Sequence, residues 1–231
     1  MLTNPVRSVL RGAFSLLAKV SKRFSRVRLY DWLGAELAKL HPGSKVLCIG
    51  AGGKLGGMVR DTPNITVVSV DIDPDKKPDF VMDAASLGFL DGEFDAVFMI
   101  EVLEHVSEPQ AAVAEIHRVL REGGVFVSST PFIFGIHEEP YDFFRFTKYG
   151  LLHLFRAFSE INLRERNGYY ASIIVMFMRS IFSPGKHRIA IGGVLIIIGM
   201  PFFLLLLIID RFAQDERATS GYFTTCIAGR T

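Results

Sequence analysis

Two short stretches of the sequence contain residue types that could bind a nucleoside cofactor. The apolar run Lys45–Ile49 leads into the stretch Gly50-Ala51-Gly52-Gly53, a pattern typical of a buried parallel strand that turns tightly into a helix. Glycine permits such a turn and lets a ligand approach the backbone closely. Asp71 ends a second apolar run about twenty residues later, where a carboxylate can accept hydrogen bonds from both ribose hydroxyls.

The glycines do not fit the dinucleotide motif, because G-x-G-x-x-G started at Gly50 has Leu55 in place of the third glycine. Three further stretches follow in order: Asp83–Phe89, Asp91–Val106 and Arg118–Val127. Together with the first glycines, this series resembles the class I S-adenosylmethionine-dependent methyltransferases, in particular the small bacterial methyltransferases of type 11. The resemblance covers roughly residues 44 to 158.

The resemblance implies an α/β fold with a doubly wound, mostly parallel, seven-stranded Rossmann-like sheet. Residues 221–228 are then the seventh strand, antiparallel between the fifth and sixth strands. The local pattern predicts a fifth strand at Val125–Thr130, after a helix that a capping box opens at Ser107 and Gly123-Gly124 closes. A further helix is predicted over residues 147–158.

S-adenosyl-L-methionine is the cofactor that the resemblance implies. The residues expected to contact it are Gly50, Ala51, Gly52, Asp71, Ile72, Asp83, Ala84, Ile100 and Glu101. Asp71 would bind the ribose, and Asp83 would accept the adenine amino group. The sequence departs from the family at Cys48, where an acidic residue is usual, and at Lys54, where a further glycine is usual.

The acceptor side is expected in the loop after the fifth strand. Residues 137–147 resemble a His-x-x-Pro-x-Asp-Phe-x-Arg-Phe-Thr stretch of bacterial methyltransferases, and His137, Asp142, Phe143 and Arg145 are the candidate substrate residues. In the alternative, purely structural interpretation, Asp142 pairs with Arg145 and the phenylalanines are buried. If the acceptor is a hydroxyl, the candidate bases are His137 first, then Glu101 and His105, since histidine titrates near neutral pH. We assign no metal site from the sequence.

Two apolar regions lie outside the methyltransferase-like core. Residues 2–22 form a predicted amphipathic helix with a basic face, which suits either a membrane interface or packing on the domain. Residues 189–209 carry no charge over 21 positions, long enough to cross a bilayer. A seventh strand in the sheet would require the chain to return on one side, so we favour a re-entrant or interfacial helical hairpin bent near Gly199-Met200-Pro201. Ser183–Arg188 is the other position at which the hairpin could bend. A single span without a seventh strand and a buried helix are the alternatives.

The predicted organisation is therefore a basic helical region (1–43), a methyltransferase domain (44–170 with 218–231) and a membrane-associating insertion (171–217). Basic residues near both apolar regions favour a membrane-associated enzyme whose catalytic domain lies on the cytoplasmic face. A net charge of +2 argues against a general nucleic-acid partner. Two cysteines, Cys48 and Cys226, do not form a disulfide framework and are expected to be buried thiols.

Three function classes remain open at this point. The first is a methyltransferase that acts on a glycan, a lipid-linked molecule or another amphiphilic small molecule. The second is a catalytically silent membrane scaffold with the same fold. The departures from the methyltransferase pattern at Cys48 and Lys54 are consistent with it. The third is a nucleotide-cofactor oxidoreductase, which Leu55 disfavours.

Overall fold

The computed structural model describes residues 26, 28–182, 202–213 and 217–229. The strands are β1 Lys45–Ile49, β2 Thr66–Asp71, β3 Phe80–Val81, β4 Phe94–Ile100, β5 Leu120–Pro131, β6 Glu160–Glu165 and β7 Gly221–Ile227. The helices are α1 at residues 28–37, α2 Gly53–Arg60, α3 Pro109–Val119, α4 Lys148–Leu154, α5 Tyr169–Phe182 and α6 at residues 202–213. Short 3₁₀ turns lie at Pro74–Lys76 and Leu103–His105.

All seven strands belong to one sheet, in the order β3-β2-β1-β4-β5-β7-β6. The pairs from β3 to β5 are parallel, whereas β7 is antiparallel to both β5 and β6. The predicted doubly wound sheet with an antiparallel seventh strand between the fifth and sixth is confirmed. Since β1, β2 and β4 are parallel neighbours, their carboxyl ends, at which such folds bind ligands, share one edge of the sheet.

The boundaries around α3 differ from the prediction. Glu108 rather than Ser107 precedes the helix, and its side chain makes no capping hydrogen bond. Pro109 stands in the first turn, where its missing N–H needs no partner. The helix ends at Val119, and Leu120 already pairs with Phe94 of β4. β5 therefore begins five positions earlier than predicted, and the two glycines lie within the strand rather than at the helix end.

Helix α4 is also shorter than predicted, since it ends at Leu154 rather than at residue 158. The side chain of Thr147 caps it by accepting a hydrogen bond from the Gly150 N–H, 3.0 Å away. Leu151, Phe155 and Phe158 belong to the buried core of the sheet, where Phe126 of β5 also lies. Phe155 and Phe158, which follow the end of α4, are therefore still buried in the core.

The chain divides into two compact units. The sheet unit lies within Asp31–Arg166 and Gly221–Thr231, and the helical unit within Met1–Tyr30 and Asn167–Ser220. In the helical unit, Ile174 of α5 packs with Phe203 and Leu206 of α6. Asp210 accepts hydrogen bonds from the N–H groups of Tyr170 (2.9 Å) and Ala171 (3.1 Å), which satisfies the first turn of α5.

No helix within the described ranges is both long enough and apolar enough to cross a membrane. The predicted helix at residues 2–22 lies outside those ranges, as does most of the uncharged run, because the description stops at 182 and resumes at 202. The hairpin and the predicted domain limits therefore stay predictions. Strand β7, whose absence the single-span alternative required, is present in the sheet.

Candidate active site

The glycine turn after β1 is held by a carboxylate from the neighbouring strand. Asp71, the last residue of β2, accepts hydrogen bonds from the N–H of Ala51 (2.9 Å) and from the N–H of Asp73 (3.0 Å). Gly50 has a φ of +89°, and a Cβ there would lie 2.3 Å from Cγ2 of Val102. The turn therefore requires glycine for two independent reasons, backbone conformation and space.

The same edge retains the groups that an adenosine moiety needs. A carboxylate offers about four acceptor positions, so Asp71 keeps capacity for the two ribose hydroxyls after accepting two backbone bonds. Ile72, the next residue, is 69% exposed and offers an apolar surface beside that carboxylate. Asp83 is exposed after β3, and its Oδ1 accepts from the N–H of Ala85 (2.9 Å), while Ala84 is buried. These residues fit the adenosine part of S-adenosyl-L-methionine.

Cys48 and Lys54, at which the sequence departs from the pattern it resembles, lie on either side of the glycine turn. Cys48 is buried in β1, and burial raises the pKa of its thiol to about 12, so the thiol supplies no negative charge there. Burial likewise raises the pKa of Cys226 in β7 to about 12. Both cysteines are free and buried, as predicted. Lys54 is exposed in the first turn of α2.

Glu101, directly after β4, has a left-handed backbone with a φ of +57°. Several bonds hold this uncommon conformation. Its N–H donates to the Ser129 carbonyl oxygen (2.9 Å), and its Oε1 accepts from the Ser129 hydroxyl (2.9 Å). Arg166, only 4% exposed, forms an ion pair with the same carboxylate at 2.5 Å. Ser129 and Arg166 thus contact both carboxylate oxygens, and the role of Glu101 as a base or as a cofactor contact stays a prediction.

The 3₁₀ turn that follows β4 carries a buried carboxylate beside two histidines. Glu104 is 0% exposed, and neither of its carboxylate oxygens has a hydrogen-bond partner among the described residues. Its Oε1 lies 3.7 Å from Nε2 of His105 and 3.8 Å from Nε2 of His137. Burial, and then the charge of Glu101, raise the pKa of Glu104 well above its usual range. A buried carboxylate without a partner is costly, so this cluster differs from a structural ion pair.

The loop after β5 brings His137 to this turn. The N–H groups of Phe143 and Phe144 donate to the Glu104 carbonyl oxygen at 3.0 and 3.1 Å, which ties the loop to the 3₁₀ turn. Burial lowers the pKa of His137, although the neighbouring Asp142 partly opposes that shift. The rings of His105 and His137 lie 4.8 Å apart, edge to face.

Asp142 and Arg145 pair in this loop, with an Oδ2–Nη2 distance of 2.6 Å. The hydrogen bonds from Arg145 hold the pKa of Asp142 well below its usual range. The pairing matches the structural interpretation of the loop, but the burial of the phenylalanines in that interpretation does not hold, because Phe143 is 46% exposed and Phe144 is also exposed. The aromatic side chains are therefore available to a ligand.

The sheet thus gathers the predicted residues in two groups. Gly50, Ala51, Gly52, Asp71, Ile72, Asp83 and Ala84 lie at or near the ends of β1, β2 and β3, whereas Ile100, Glu101, His105, His137, Asp142, Phe143 and Arg145 lie near the ends of β4 and β5. Three residues of this site were not predicted from the sequence: Glu104, Ser129 and Arg166. Glu104 could have been found from its spacing, since it follows Glu101 by three residues and precedes a histidine. Nothing in the local sequence marks Arg166, which is 65 residues from its partner.

Comparison with known proteins agrees with this geometry. Residues 47–128 match the family model described as "Methyltransferase domain". A chloroplastic uncharacterized methyltransferase of Arabidopsis thaliana is 44% identical over 85 residues, which are 36% of this chain and 23% of that protein. The demethylmenaquinone methyltransferase of Renibacterium salmoninarum is 34% identical over 96 residues, 37% of this chain and 40% of that protein. This chain therefore spans less than half the length of either relative.

Solved structures share the fold at low sequence identity. The cyclase SpnF gives a TM-score of 0.59 at 19% identity, covering 88% of this chain and 82% of that one. Phosphoethanolamine N-methyltransferase 2 of Haemonchus contortus, solved with S-adenosyl-L-methionine, gives 0.56 at 14% identity, covering 89% of this chain and 53% of that one. Residues 47–128 are therefore similar to a methyltransferase domain, and the sheet order and the solved structures show that the chain shares the fold of such proteins.

Proposed function

We propose that this protein transfers the methyl group of S-adenosyl-L-methionine to a hydroxyl of a small-molecule acceptor. One observation carries the proposal: Asp71 and the His105–His137 pair follow strands of the same parallel sheet, at the same edge. Asp71 and Ile72 suit the adenosine, and the histidines suit an acceptor that must lose a proton. The family match favours this reaction over the nucleotide-cofactor oxidoreductase.

S-adenosyl-L-methionine supplies an electrophilic methyl group on a sulfonium, and the protein supplies position and proton transfer. The acceptor hydroxyl gives up its proton at the histidine pair, with His137 the first candidate to receive it. The acceptor oxygen forms the new bond to the methyl carbon as the carbon–sulfur bond breaks, and that bond's electron pair stays on sulfur. The products are a methyl ether and S-adenosylhomocysteine. Arg166 and Ser129 hold Glu101 in place at the end of β4.

The cofactor part of the proposal is tested by calorimetric titration of S-adenosyl-L-methionine into the detergent-solubilised full chain. Asp71→Ala should weaken binding about 100-fold, because hydrogen bonds to a charged group contribute about 1.5–3 kcal/mol each. Asp61→Ala is the matched control, since Asp61 is exposed at the end of α2 and should leave the affinity unchanged. A folded wild type that binds no S-adenosyl-L-methionine would contradict the proposal.

That negative result would favour the catalytically silent scaffold. Two observations support this second candidate function. Cys48 supplies no charge where the family usually has an acid, and the fold also occurs in SpnF, which is described as a cyclase. A fold hosts many functions, so only the site decides between them.

The acceptor is proposed to be a glycan, a lipid-linked molecule or another amphiphile, met at the cytoplasmic face of a membrane. Exposed apolar side chains on α6 support this: Phe202, Leu204, Leu205, Ile208 and Phe212. Two relatives carry names that refer to apolar acceptors, a sterol methyltransferase-like protein and the demethylmenaquinone methyltransferase. The full chain should sediment with anionic phospholipid vesicles, and less so after Leu204→Ser and Ile208→Ser. A chain that stays in the supernatant would count against the membrane.

A further inference from the structure

We propose that Glu104, His105 and His137 bind one divalent transition-metal ion beside the acceptor position. The three residues are the metal-ligating group that the described residues bring together, with one candidate ligand atom from each and all three atoms within 4.8 Å of one another. They come from two separate segments, the 3₁₀ turn after β4 and the loop after β5.

The distances fit an ion better than direct contacts between the side chains. Oε1 of Glu104 is 3.7 Å from Nε2 of His105 and 3.8 Å from Nε2 of His137, too long for hydrogen bonds. Ligand atoms at about 2.0–2.2 Å from one ion are roughly 3–4 Å from each other. The carboxylate oxygen and each imidazole nitrogen are therefore already spaced as two ligands of one ion.

The buried carboxylate is the second, independent observation. Glu104 is 0% exposed, and both of its oxygens are without hydrogen-bond partners within the described part of the chain. Buried carboxylates are normally hydrogen-bonded, paired or coordinated to a metal. A cation between Glu104 and the two imidazoles would satisfy the oxygen that faces them.

Neighbouring groups also orient the histidines as ligands. Nδ1 of His105 lies 2.8 Å from the Tyr141 carbonyl oxygen, which only accepts, so Nδ1 carries the proton and Nε2 keeps its lone pair. Nδ1 of His137 lies 3.4 Å from Oδ2 of Asp142, an acceptor, and 3.4 Å from Nη2 of Arg145, a donor; the contact with Asp142 is the one that leaves the Nε2 lone pair for a metal. Metal-bound histidines usually make such a contact through the second ring nitrogen. Two imidazoles with one carboxylate suit first-row ions such as Zn²⁺ or Co²⁺.

Three protein ligands leave coordination positions open, as catalytic metal sites do. The binding of the ion stands on this geometry alone, whereas its role rests on the proposed function. An acceptor hydroxyl that coordinates the ion would release its proton to water more readily, since a bound cation lowers the pKa of an attached oxygen. The oxygen then bonds to the methyl carbon as the carbon–sulfur bond breaks. In this form of the reaction His137 holds the ion instead of taking the proton.

The test is titration of Co²⁺ into the full chain after chelator dialysis, followed by visible absorption and displacement with Zn²⁺. We expect one equivalent of Co²⁺ per chain, with affinity at least about 100-fold lower in Glu104→Gln and His137→Gln, since even outer-shell changes cost 10–100-fold. His153→Gln is the matched control, because His153 is exposed on α4 and should change nothing.

Each outcome decides one point. If Glu104→Gln fails to fold, His137→Gln still tests the site, because the His137 side chain is 26% exposed and tolerates the change better. A folded wild type that takes up no Co²⁺, or uptake that both folded variants retain, would overturn the metal site. S-adenosyl-L-methionine is titrated into the same metal-free protein. Cofactor binding without Co²⁺ uptake would contradict the metal site alone. Co²⁺ uptake without cofactor binding would contradict methyl transfer and leave the metal site in place.

Discussion

The two halves of the ligand-binding edge are built in different ways. The cofactor half, at the ends of β1, β2 and β3, relies on backbone N–H groups that donate to carboxylates, and the longest of these links joins Asp71 to Ala51, 20 residues earlier. Asp71 and Asp83 each accept from an N–H two residues later. The acceptor half, at the ends of β4 and β5, relies on buried charges that meet across the chain, since Arg166 and Glu101 are 65 residues apart.

Because of this difference, substitutions in the two halves should differ in their effects on cofactor affinity and on the free energy of unfolding. In the cofactor half Asp83 is exposed and Asp71 is half-buried, so a substitution there should lower the affinity for the cofactor more than it changes the free energy of unfolding. Arg166 and Glu104 in the acceptor half are buried, and the Glu101 side chain is 10% exposed, so a substitution there should change the free energy of unfolding as well. Four predictions test this contrast.

The largest effect is expected in the acceptor half, at the buried ion pair. Arg166→Met leaves the Glu101 carboxylate without its cation and should lower the free energy of unfolding by about 3–5 kcal/mol. Arg121→Met breaks the exposed pair with Asp95 and should cost less than about 1 kcal/mol. Urea denaturation measures both. Equal losses of unfolding free energy in the two variants would contradict the proposed difference between the halves.

His137→Ala should reduce turnover by about 10²–10⁴-fold, the usual contribution of acid–base catalysis, while leaving the affinity for S-adenosyl-L-methionine unchanged. The reason is that His137 lies with the acceptor half and contacts Glu104 and Asp142 rather than the cofactor half. Release of S-adenosylhomocysteine is measured with a panel of hydroxylated amphiphiles, beside His153→Ala as control. Unchanged turnover would remove His137 from the chemistry.

The Asp142–Arg145 pair should make the acceptor half sensitive to acid. The pKa of Asp142 is lowered in the folded protein, so its contribution is fully present above the unfolded pKa of about 3.9 and is lost as the pH falls below that value. Asp142→Asn should cost about 1–3 kcal/mol at pH 7, and the gap to the wild type should narrow towards pH 3. Urea unfolding across this range checks it, and a constant gap would refute the assignment.

The smallest effect is expected in the cofactor half. Ile72→Ala removes apolar surface that would contact the adenine ring and should weaken S-adenosyl-L-methionine binding by about 3–10-fold, on the order of one or two methylene groups. Its stability should not change, because the side chain is 69% exposed. Leu90→Ala is the control, since Leu90 is also exposed in the sheet unit. A lower free energy of unfolding in Ile72→Ala would contradict the exposed position of this side chain.

The sheet and the cofactor half follow closely from local sequence patterns. Apolar runs that end at Gly50, Asp71 and Glu101 mark β1, β2 and β4, because the strands of a parallel sheet covered on both faces are mostly apolar. The limits of α3 and α4 were not predictable in the same way. Leu120 leaves the helix to pair with Phe94, and Phe158 lies in the core beyond the end of α4. Tertiary pairing and packing override local preference at both ends.

By itself, the sequence marked the apolar strands and the positions of Asp71 and Asp83 through local patterns, whereas the fold class, the place of the seventh strand and the expected cofactor came from its resemblance to the methyltransferases. Only the tertiary structure decided that Arg166 pairs with Glu101, and that His137 joins His105 beside the buried carboxylate of Glu104. The physical reason is separation along the chain. Groups that are 32 or more residues apart leave no periodic pattern, and only the folded sheet and loop bring their charges together.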